Sequence, residues 1–507
     1  MNNSNSNSNS KSNSKSKSNS YLGAKGYTIL KSDISISLQN EIKDELNIKP
    51  YVSQGDAKSY AVYRESFKKL YVPRYYGLLK LGPPESNNIS NGESIKLEFN
   101  GSLREKQEMV VTKYINYIEN SNKQGGLLEL PCAFGKTILS LNIISRLSKK
   151  TLIIVHKEFL MNQWIERIEE FLPDAKVGKI QGQIIDIEDK DIVIGMLQSL
   201  SMKEYPSTMF ETFGLTIIDE VHHISSEVFS KSLFKIVTKH MLGLSATMNR
   251  KDGTTRVFKM FLGDVIYKGE HDEKRIATVR ALEYRSHDEE FEETKLDFRG
   301  KPAFSTMISK VCEYNRRSEF ILKVLKNMLE ENPNQQVMIL AHNRNILKYF
   351  HDAINHRNMA TVGYYLGGMK EKALKETETK QIVIATYAMA AEALDIKTLT
   401  TLIMATSKTD IQQSVGRILR EKHSNPIIVD IIDTHDIFKS QWNKRKVFYR
   451  KEDYKIFYTN SDKYVPDMSK WKEIEYIKRG KKCITIEDEN ENEDDKPIGV
   501  CLLKMKK

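Results

Sequence analysis

Leu128-Glu129-Leu130-Pro131-Cys132-Ala133-Phe134-Gly135-Lys136-Thr137, followed by the apolar segment 138–147, decides the fold of this chain. A short apolar run leads into a tight loop, the loop ends in Gly-Lys-Thr, and a helix-length segment follows. Strand, loop and helix in that order aim the backbone N–H groups of a helix N-terminus at an anion. Pro131, Cys132, Ala133, Phe134 and Gly135 form the candidate cradle for phosphate. The Lys136 ammonium would neutralise β/γ oxygens, and the Thr137 hydroxyl would ligate Mg²⁺. Leu130 stands where the full glycine-rich pattern has its first Gly, and Ala133 where a second is common.

The rhythm of this stretch continues on both sides. Short apolar runs at 126–130, 152–155, 191–195, 215–218 and 240–245 alternate with helix-length segments, and runs at 336–341, 381–386, 401–405 and 427–432 repeat the pattern. Such runs separated by helices indicate an α/β fold with parallel sheets covered by helices on both faces. Two tandem α/β domains are expected, over 101–285 and 310–436, joined by a charged linker at 286–309. A small N-terminal accessory domain is expected over 21–100, closing in the Gly/Pro-rich stretch 82–92. Residues 1–20 are an Asn/Ser/Lys tract without an acid and read as a disordered tail. Residues 437–482 read as a basic aromatic extension, since 438–482 holds 14 Lys/Arg against 6 Asp/Glu with aromatics interleaved. Its aromatics could stack bases or could pack back onto the second domain. Residues 483–507 read as an acidic tail.

The composition narrows the classes. The chain has 507 residues, 40% of them hydrophobic and 29% charged, which supports several packed cores and excludes a wholly disordered protein. No apolar run approaches the ~18 residues of a membrane span, and no secretory leader is expected from the Asn/Ser/Lys start. No membrane partner is expected. Four cysteines without a paired or metal-ligating spacing point to a reducing, intracellular setting. The net charge of +11 permits a polyanionic partner but does not require one.

Three further stretches carry chemistry. In Thr216-Ile217-Ile218-Asp219-Glu220-Val221-His222-His223, two carboxylates follow an apolar run, at the C-terminal edge of a parallel sheet where ligands bind. Asp219 is the candidate for holding Mg²⁺ through water, Glu220 for polarising the attacking water, and His222 for coupling this edge to its neighbours. Gly243-Leu244-Ser245-Ala246-Thr247 ends the next strand. In Gln412-Gln413-Ser414-Val415-Gly416-Arg417-Ile418-Leu419-Arg420, the residues Gln413, Arg417 and Arg420 lie at helical spacing on one face. Two guanidiniums on one face suit the equatorial oxygens of a phosphoryl group in transfer, although a solvated ion-pair face has the same spacing.

Taken in order, these stretches resemble superfamily-two helicases of the DExH type. So do Leu103-Arg104-Glu105-Lys106-Gln107, the segment 155–164 with Gln163-Trp164, Ile194-Gly195-Met196-Leu197-Gln198-Ser199-Leu200, Ile384-Ala385-Thr386 and Glu392-Ala393-Leu394-Asp395-Ile396. The wording Ser245-Ala246-Thr247-Met248-Asn249-Arg250-Lys251-Asp252-Gly253 resembles the branch containing the TFIIH DNA translocase, a phage recombination helicase and the poxvirus transcript-release helicase. Leu70-Tyr71-Val72-Pro73-Arg74-Tyr75-Tyr76-Gly77 is similar to the large-DNA-virus members. The resemblance implies two RecA-like domains and an ATP- and Mg²⁺-dependent nucleic-acid helicase or translocase. Under it, Gln107 reads adenine and Asp395 belongs to the nucleotide site. Glu220, Lys136, Gln413, Arg417 and Arg420 are catalytic, with Arg420 as the finger. Thr137 and Asp219 hold the metal, and Gln198, Ser199 and Thr386 touch the nucleic acid. It favours DNA as substrate, with RNA the alternative, and a transcription complex as partner. A viral origin would place the chain in the virion or host cytoplasm. A phosphate-loop kinase or small GTPase would leave the second α/β domain unexplained. A nucleic-acid scaffold without turnover is the remaining alternative, motivated by Leu130 and Ala133.

Overall fold

The computed structural model describes residues 20–51, 57–120, 123–131, 134–223, 226–248, 250, 252–269, 277–392, 396–418, 426–479 and 482–485. The chain divides into two units, Met1–His271 and Asp272–Lys507. The expected tail at 1–20, except Ser20, and the acidic tail beyond Thr485 lie outside the described residues.

The first unit carries an eight-stranded sheet. Its order is Ile184–Ile185, Val177–Gln181, Ile192–Met196, Thr151–Val155, Leu215–Ile218, His240–Ser245, Gly125–Glu129, Val265–Lys268. The first pair is antiparallel and every other pair is parallel. Successive residues of one strand feed two different cores. Leu152 and Ile154 join the apolar cluster on one face, Ile153 and Val155 the cluster on the other. A strand buried on both faces has no polar alternation, which is why such segments stand out as unbroken apolar runs. The helix Lys136–Leu147 leaves the strand Gly125–Glu129 through the phosphate-type loop.

Ahead of that sheet stands a smaller one, ordered Arg64–Glu65, Lys69–Val72, Gly26–Leu30, Tyr21–Gly23, Ser86–Asn87. The helix Ile36–Glu45 starts at Ser35, whose hydroxyl accepts the Leu38 amide at 3.1 Å. Arg74, at the start of the helix Arg74–Leu81, is buried and ties this sheet to the larger one. It donates to the Thr238 and Lys239 carbonyls at 3.3 and 3.0 Å and to the Gln124 side chain at 2.6 Å.

The second unit repeats the architecture. Its eight strands run Val362–Tyr365, Ile382–Thr386, Gln336–Ala341, Leu399–Met404, Ile427–Asp433, Thr278–Tyr284, Lys455–Asn460, Lys472–Glu473. All pairs are parallel except the last. Two mostly parallel sheets match the α/β class read from the sequence.

The structure redraws several boundaries. Thr278–Tyr284 pairs with Ile427–Asp433 and Lys455–Asn460, so it belongs to the second sheet and not to a segment 101–285. The segment 286–309 contains the short helix Glu289–Glu292, and the helix Phe304–Glu313 begins inside it. Phe291 anchors the former because its ring is buried against Tyr284, Tyr314 and His435. The basic aromatic stretch is no appendage. It supplies the helix Asp436–Lys451 and two strands of the second sheet, and Phe438, Trp442, Tyr449, Tyr454, Tyr464 and Trp471 are buried. Lys482–Thr485 pairs as a strand with Tyr476–Arg479, so 483–485 belong to a strand and not to a tail. Strands Val177–Gln181 and Val362–Tyr365 escaped the sequence reading because glycine and half-exposed polar residues interrupt them.

Two buried ion pairs lock the strand Ile427–Asp433. Asp433 accepts two hydrogen bonds from Arg317, and both side chains are fully buried. Asp430 accepts Arg445 Nε at 2.7 Å and Nη2 at 2.9 Å, with Tyr449 donating at 2.9 Å. Removing one partner of a buried pair strands the other charge away from water. Asp430→Ala should destabilise the second unit by about 3–5 kcal/mol. Arg445 Nη1 also donates to the Ser407 hydroxyl at 2.8 Å and the Lys408 carbonyl at 3.1 Å. Urea unfolding followed by circular dichroism measures the loss, and a value below about 1 kcal/mol would mean that these two acceptors alone satisfy Arg445.

Candidate nucleotide site and nucleic-acid contacts

The candidate site lies at the C-terminal edge of the first sheet, where strand ends leave backbone and side-chain polar groups outside the two cores. Gly135 precedes the helix Lys136–Leu147 with φ 90° and ψ 40°, a left-handed conformation that favours glycine. A Cβ there would meet Gln107 Nε2 at 2.3 Å. Gln107 is buried, donating to the Phe134 carbonyl at 2.8 Å and accepting the Arg104 amide at 3.0 Å. Arg104 also donates to the Phe134 carbonyl, at 2.5 Å. The expected adenine reader therefore braces the phosphate-type loop in this conformation. Cys132 and Ala133 lie outside the described residues, whereas Pro131 and Thr137 are half-buried.

Lys136 reaches across to the next strand end but one. Its Nζ donates to Glu220 Oε1 at 2.8 Å, with both side chains largely shielded. Glu220 follows the strand Leu215–Ile218 with φ 49°, a strained position for a residue with a Cβ. That turn swings its carboxylate back toward Lys136. Asp219, one residue earlier, is only 7% exposed. Its Oδ1 accepts the Glu220 amide and its Oδ2 the Trp164 indole, both at 2.9 Å. Burial first, and then the adjacent Glu220 charge, push the Asp219 carboxyl up to about 6 against the opposing pull of Lys136 and Trp164. The two carboxylates are thus held differently, one buried and aimed by an indole, the other paired to an ammonium.

A polar chain extends from Glu220 along the sheet edge. His222 Nδ1 lies 3.3 Å from Glu220 Oε2 and 2.6 Å from Ser245 Oγ, and Ser245 in turn contacts the Thr247 backbone. Arg250 Nη1 donates to the His222 carbonyl at 2.6 Å, while its other nitrogens engage Asp252. The Arg250 guanidinium and Thr254 hold the Asp252 carboxyl far below the usual carboxylate range. Ser245, Arg250 and Asp252, quoted in the sequence only as part of a pattern, therefore form one network with the acidic pair. Trp164, quoted in the sequence only within the segment 155–164, meets an acid 55 positions away, a pairing that nothing in the sequence indicates.

The remaining expected residues lie on other elements or outside the described residues. Gln198 and Ser199 lie on the helix Leu197–Met202 of the first unit; Gln198 is exposed, and Ser199 Oγ accepts the Gly182 amide at 2.9 Å. Thr386 ends the strand Ile382–Thr386 of the second unit and is half-buried. Gln413 and Arg417 belong to the helix Gln412–Ile418, while Asp395 and Arg420 lie outside the described residues.

The start of this helix suits an anion such as a triphosphate. The first turn of Lys136–Leu147 has no side chain at its cap position to occupy its amides, because that position is Gly135. Among the described residues no three His, Cys, Asp or Glu side chains gather into a metal cage. Among the described residues, no helix is long and apolar enough to cross a membrane.

Residues 100–250 match the family model described as "Type III restriction enzyme, res subunit". An inferred ATP-dependent RNA helicase of Acanthamoeba polyphaga mimivirus is 34% identical over 472 residues, covering 90% of each chain. The chain belongs to the superfamily-two helicases. This helicase is also similar to an inferred ATP-dependent RNA helicase of African swine fever virus, 28% identical over 356 residues, 65% of this chain and 69% of that one. The crystal structure of T4 UvsW aligns at 17% identity over 85% of this chain and 97% of that chain, with a TM-score of 0.32. Like its family, the helicase is an ATP-hydrolysing enzyme.

Glu220→Gln keeps the shape of the side chain and removes its capacity to take a proton. It should preserve ATP binding and slow hydrolysis by about 10²–10⁴, the range for a positioned proton acceptor. Single-turnover hydrolysis together with nucleotide binding measures both, and unchanged hydrolysis would remove Glu220 from the chemistry.

Proposed function

We propose that this helicase couples ATP hydrolysis to movement along DNA, in viral transcription termination or transcript release. The observation that carries the reading is the polar chain Lys136–Glu220–His222–Ser245, which links the phosphate-type loop to two neighbouring strand ends. In this reading Lys136 and the first-turn amides bind and orient the phosphates. Thr137 and Asp219 hold Mg²⁺, which when bound supplies positive charge to the phosphate oxygens. Glu220 takes a proton from the attacking water, and its release from Lys136 and its contact with His222 set its position for that task. Arg417 and Arg420 place guanidiniums against the charge developing on the γ-phosphate, with Gln413 on the same helical face. Gln107 reads the adenine edge, and Asp395 belongs to the same site. Gln198, Ser199 and Thr386 touch the nucleic-acid backbone, so tracking is sequence-independent and salt-sensitive.

The pattern Ser245-Ala246-Thr247 through Arg250, Asp252 and Gly253 supports DNA, because it resembles the DNA-translocating branch. The names of the mimivirus and African swine fever virus relatives favour a second reading, an RNA substrate. ATP turnover with single-stranded DNA, duplex DNA, RNA and no nucleic acid separates the two. Stimulation by DNA and not by RNA is expected, and stimulation by RNA alone replaces the first reading with the second.

Arg420→Ala should leave ATP affinity nearly unchanged and slow turnover roughly 10³-fold, the low end for a lost arginine finger. Arg420→Lys should recover little, because a point charge does not reproduce the planar two-point contact. Normal single-turnover hydrolysis in a folded, ATP-binding Arg420→Ala protein would return this arginine to a solvated ion-pair face.

A further inference from the structure

The small N-terminal sheet has two unlike faces. Leu22, Tyr27, Ile29, Leu70 and Val72 point to one side and are buried in the core. The opposite alternation forms a single cross-strand row. Ser86 pairs with Tyr21, Tyr21 with Thr28, Thr28 with Tyr71, and Tyr71 with Arg64. The row crosses all five strands and contains no acid. Tyr21 and Tyr71 are half-buried and flank Thr28, and neither belongs to the apolar core.

Each ring carries a cation. Lys25 Nζ sits 5.1 Å from the centre of the Tyr71 ring, and Lys69 Nζ sits 5.1 Å from the centre of the Tyr21 ring. Lys69 also donates to the Tyr21 hydroxyl at 2.9 Å. Beyond the row, the turn between Glu65 and Lys69 presents Phe67, 93% exposed, beside Lys68. Glu65, the acid nearest this turn, points to the other alternation and is ion-paired to Lys31 and Lys43 at 2.7 Å. Arg64 closes the far end of the row, its guanidinium over the Phe234 ring and its Nη2 on the Lys231 carbonyl.

We propose that this face binds a single strand of nucleic acid, with Tyr21 and Tyr71 as base-stacking surfaces and Lys25, Lys68 and Lys69 as phosphate partners. The proposal rests on the nucleic-acid reading above and adds a contact surface outside both eight-stranded sheets. The argument is one of matched chemistry. An aromatic ring with an ammonium beside it offers what one nucleotide needs, a π-face for the base and a cation for the phosphate. Two such units in one row that holds no acid, flanked by further cations, suit a repeating polyanion with stackable bases. Every base has a π-face, so the contact is tolerant of sequence and sensitive to salt. A purely structural role would require only that the lysine stems cover the rings.

The test uses the full chain and end-labelled 20-nucleotide oligo-dT and oligo-U, with affinity read by fluorescence anisotropy at fixed and then varied salt. Tyr21→Ala and Tyr71→Ala should each weaken binding about 5- to 150-fold, the loss of one stacked base. Tyr71→Phe keeps the ring and should restore affinity to near wild type. Lys25→Glu, at an exposed turn, should weaken binding and flatten its salt dependence without touching the core. Affinities unchanged in the alanine and Lys25→Glu proteins overturn the proposal, as does a Tyr71→Phe protein as weak as Tyr71→Ala. ATP turnover, measured on the same proteins, separates this from the functional reading. Tyrosine-dependent binding in a wild-type chain whose turnover no nucleic acid stimulates keeps the platform and sinks the translocase. Stimulated turnover with unaffected binding in the variants does the reverse. The oligo-dT and oligo-U arms distinguish a DNA strand from an RNA strand.

Discussion

Burial of the first unit's central strands on both faces is the constraint from which the rest of the site follows. Ile153 and Val155 enter one core and Leu152 and Ile154 the other, so the middle of the sheet has no place for a charge. Charged side chains on these strands are stable only where the backbone leaves the sheet. Glu129 and Asp219 stand at or just past such ends, as does the Ser245 hydroxyl, and the loop before Lys136 begins at one. The parallel arrangement places these ends at one edge, so residues far apart in the chain converge there without any one segment encoding the meeting.

The polar groups at that edge then organise one another. An indole and a backbone amide hold both oxygens of Asp219, which keeps a nearly buried carboxyl in a single orientation. The left-handed turn at Glu220 separates the two adjacent carboxylates, sending one into the protein and the other toward Lys136. Such strain is tolerated where the surroundings over-determine the backbone. Here the amide of Glu220 is fixed by Asp219 and its carboxylate by Lys136 and His222. The chain through His222, Ser245 and Arg250 extends this order to the next strand end. A change at any member therefore reaches the others through hydrogen bonds, not through the apolar core.

The second unit uses its buried charges differently. Arg317–Asp433 and Arg445–Asp430 are internal fasteners, joining the strand Ile427–Asp433 to the helices Asn315–Glu331 and Asp436–Lys451. The helix Asp436–Lys451 packs its aromatic side inward and leaves Lys439 and Lys444 in solvent. Of the two readings that the sequence allowed for this stretch, packing accounts for most of its aromatics. The small N-terminal sheet differs in this respect, since its tyrosine row lies outside the core.

What the sequence determined by itself is what contiguous residues encode. Doubly buried strands are unbroken apolar runs, so 215–218, 240–245 and 336–341 coincide with strands Leu215–Ile218, His240–Ser245 and Gln336–Ala341. Gly-Lys-Thr after a strand and the acidic pair after another were equally legible, because loop conformation and strand-end polarity are local properties. Partly exposed strands such as Val177–Gln181 were not, since partial exposure breaks the apolar run. Tertiary structure alone decided which sheet Thr278–Tyr284 joins, that Trp164 meets Asp219, and that Ser245 meets His222. Those outcomes depend on sheet order and on side chains approaching across tens of intervening residues. Periodicity states that a segment is buried or exposed; it does not name the partner, because the partner is chosen by which strands lie side by side once the whole sheet has closed.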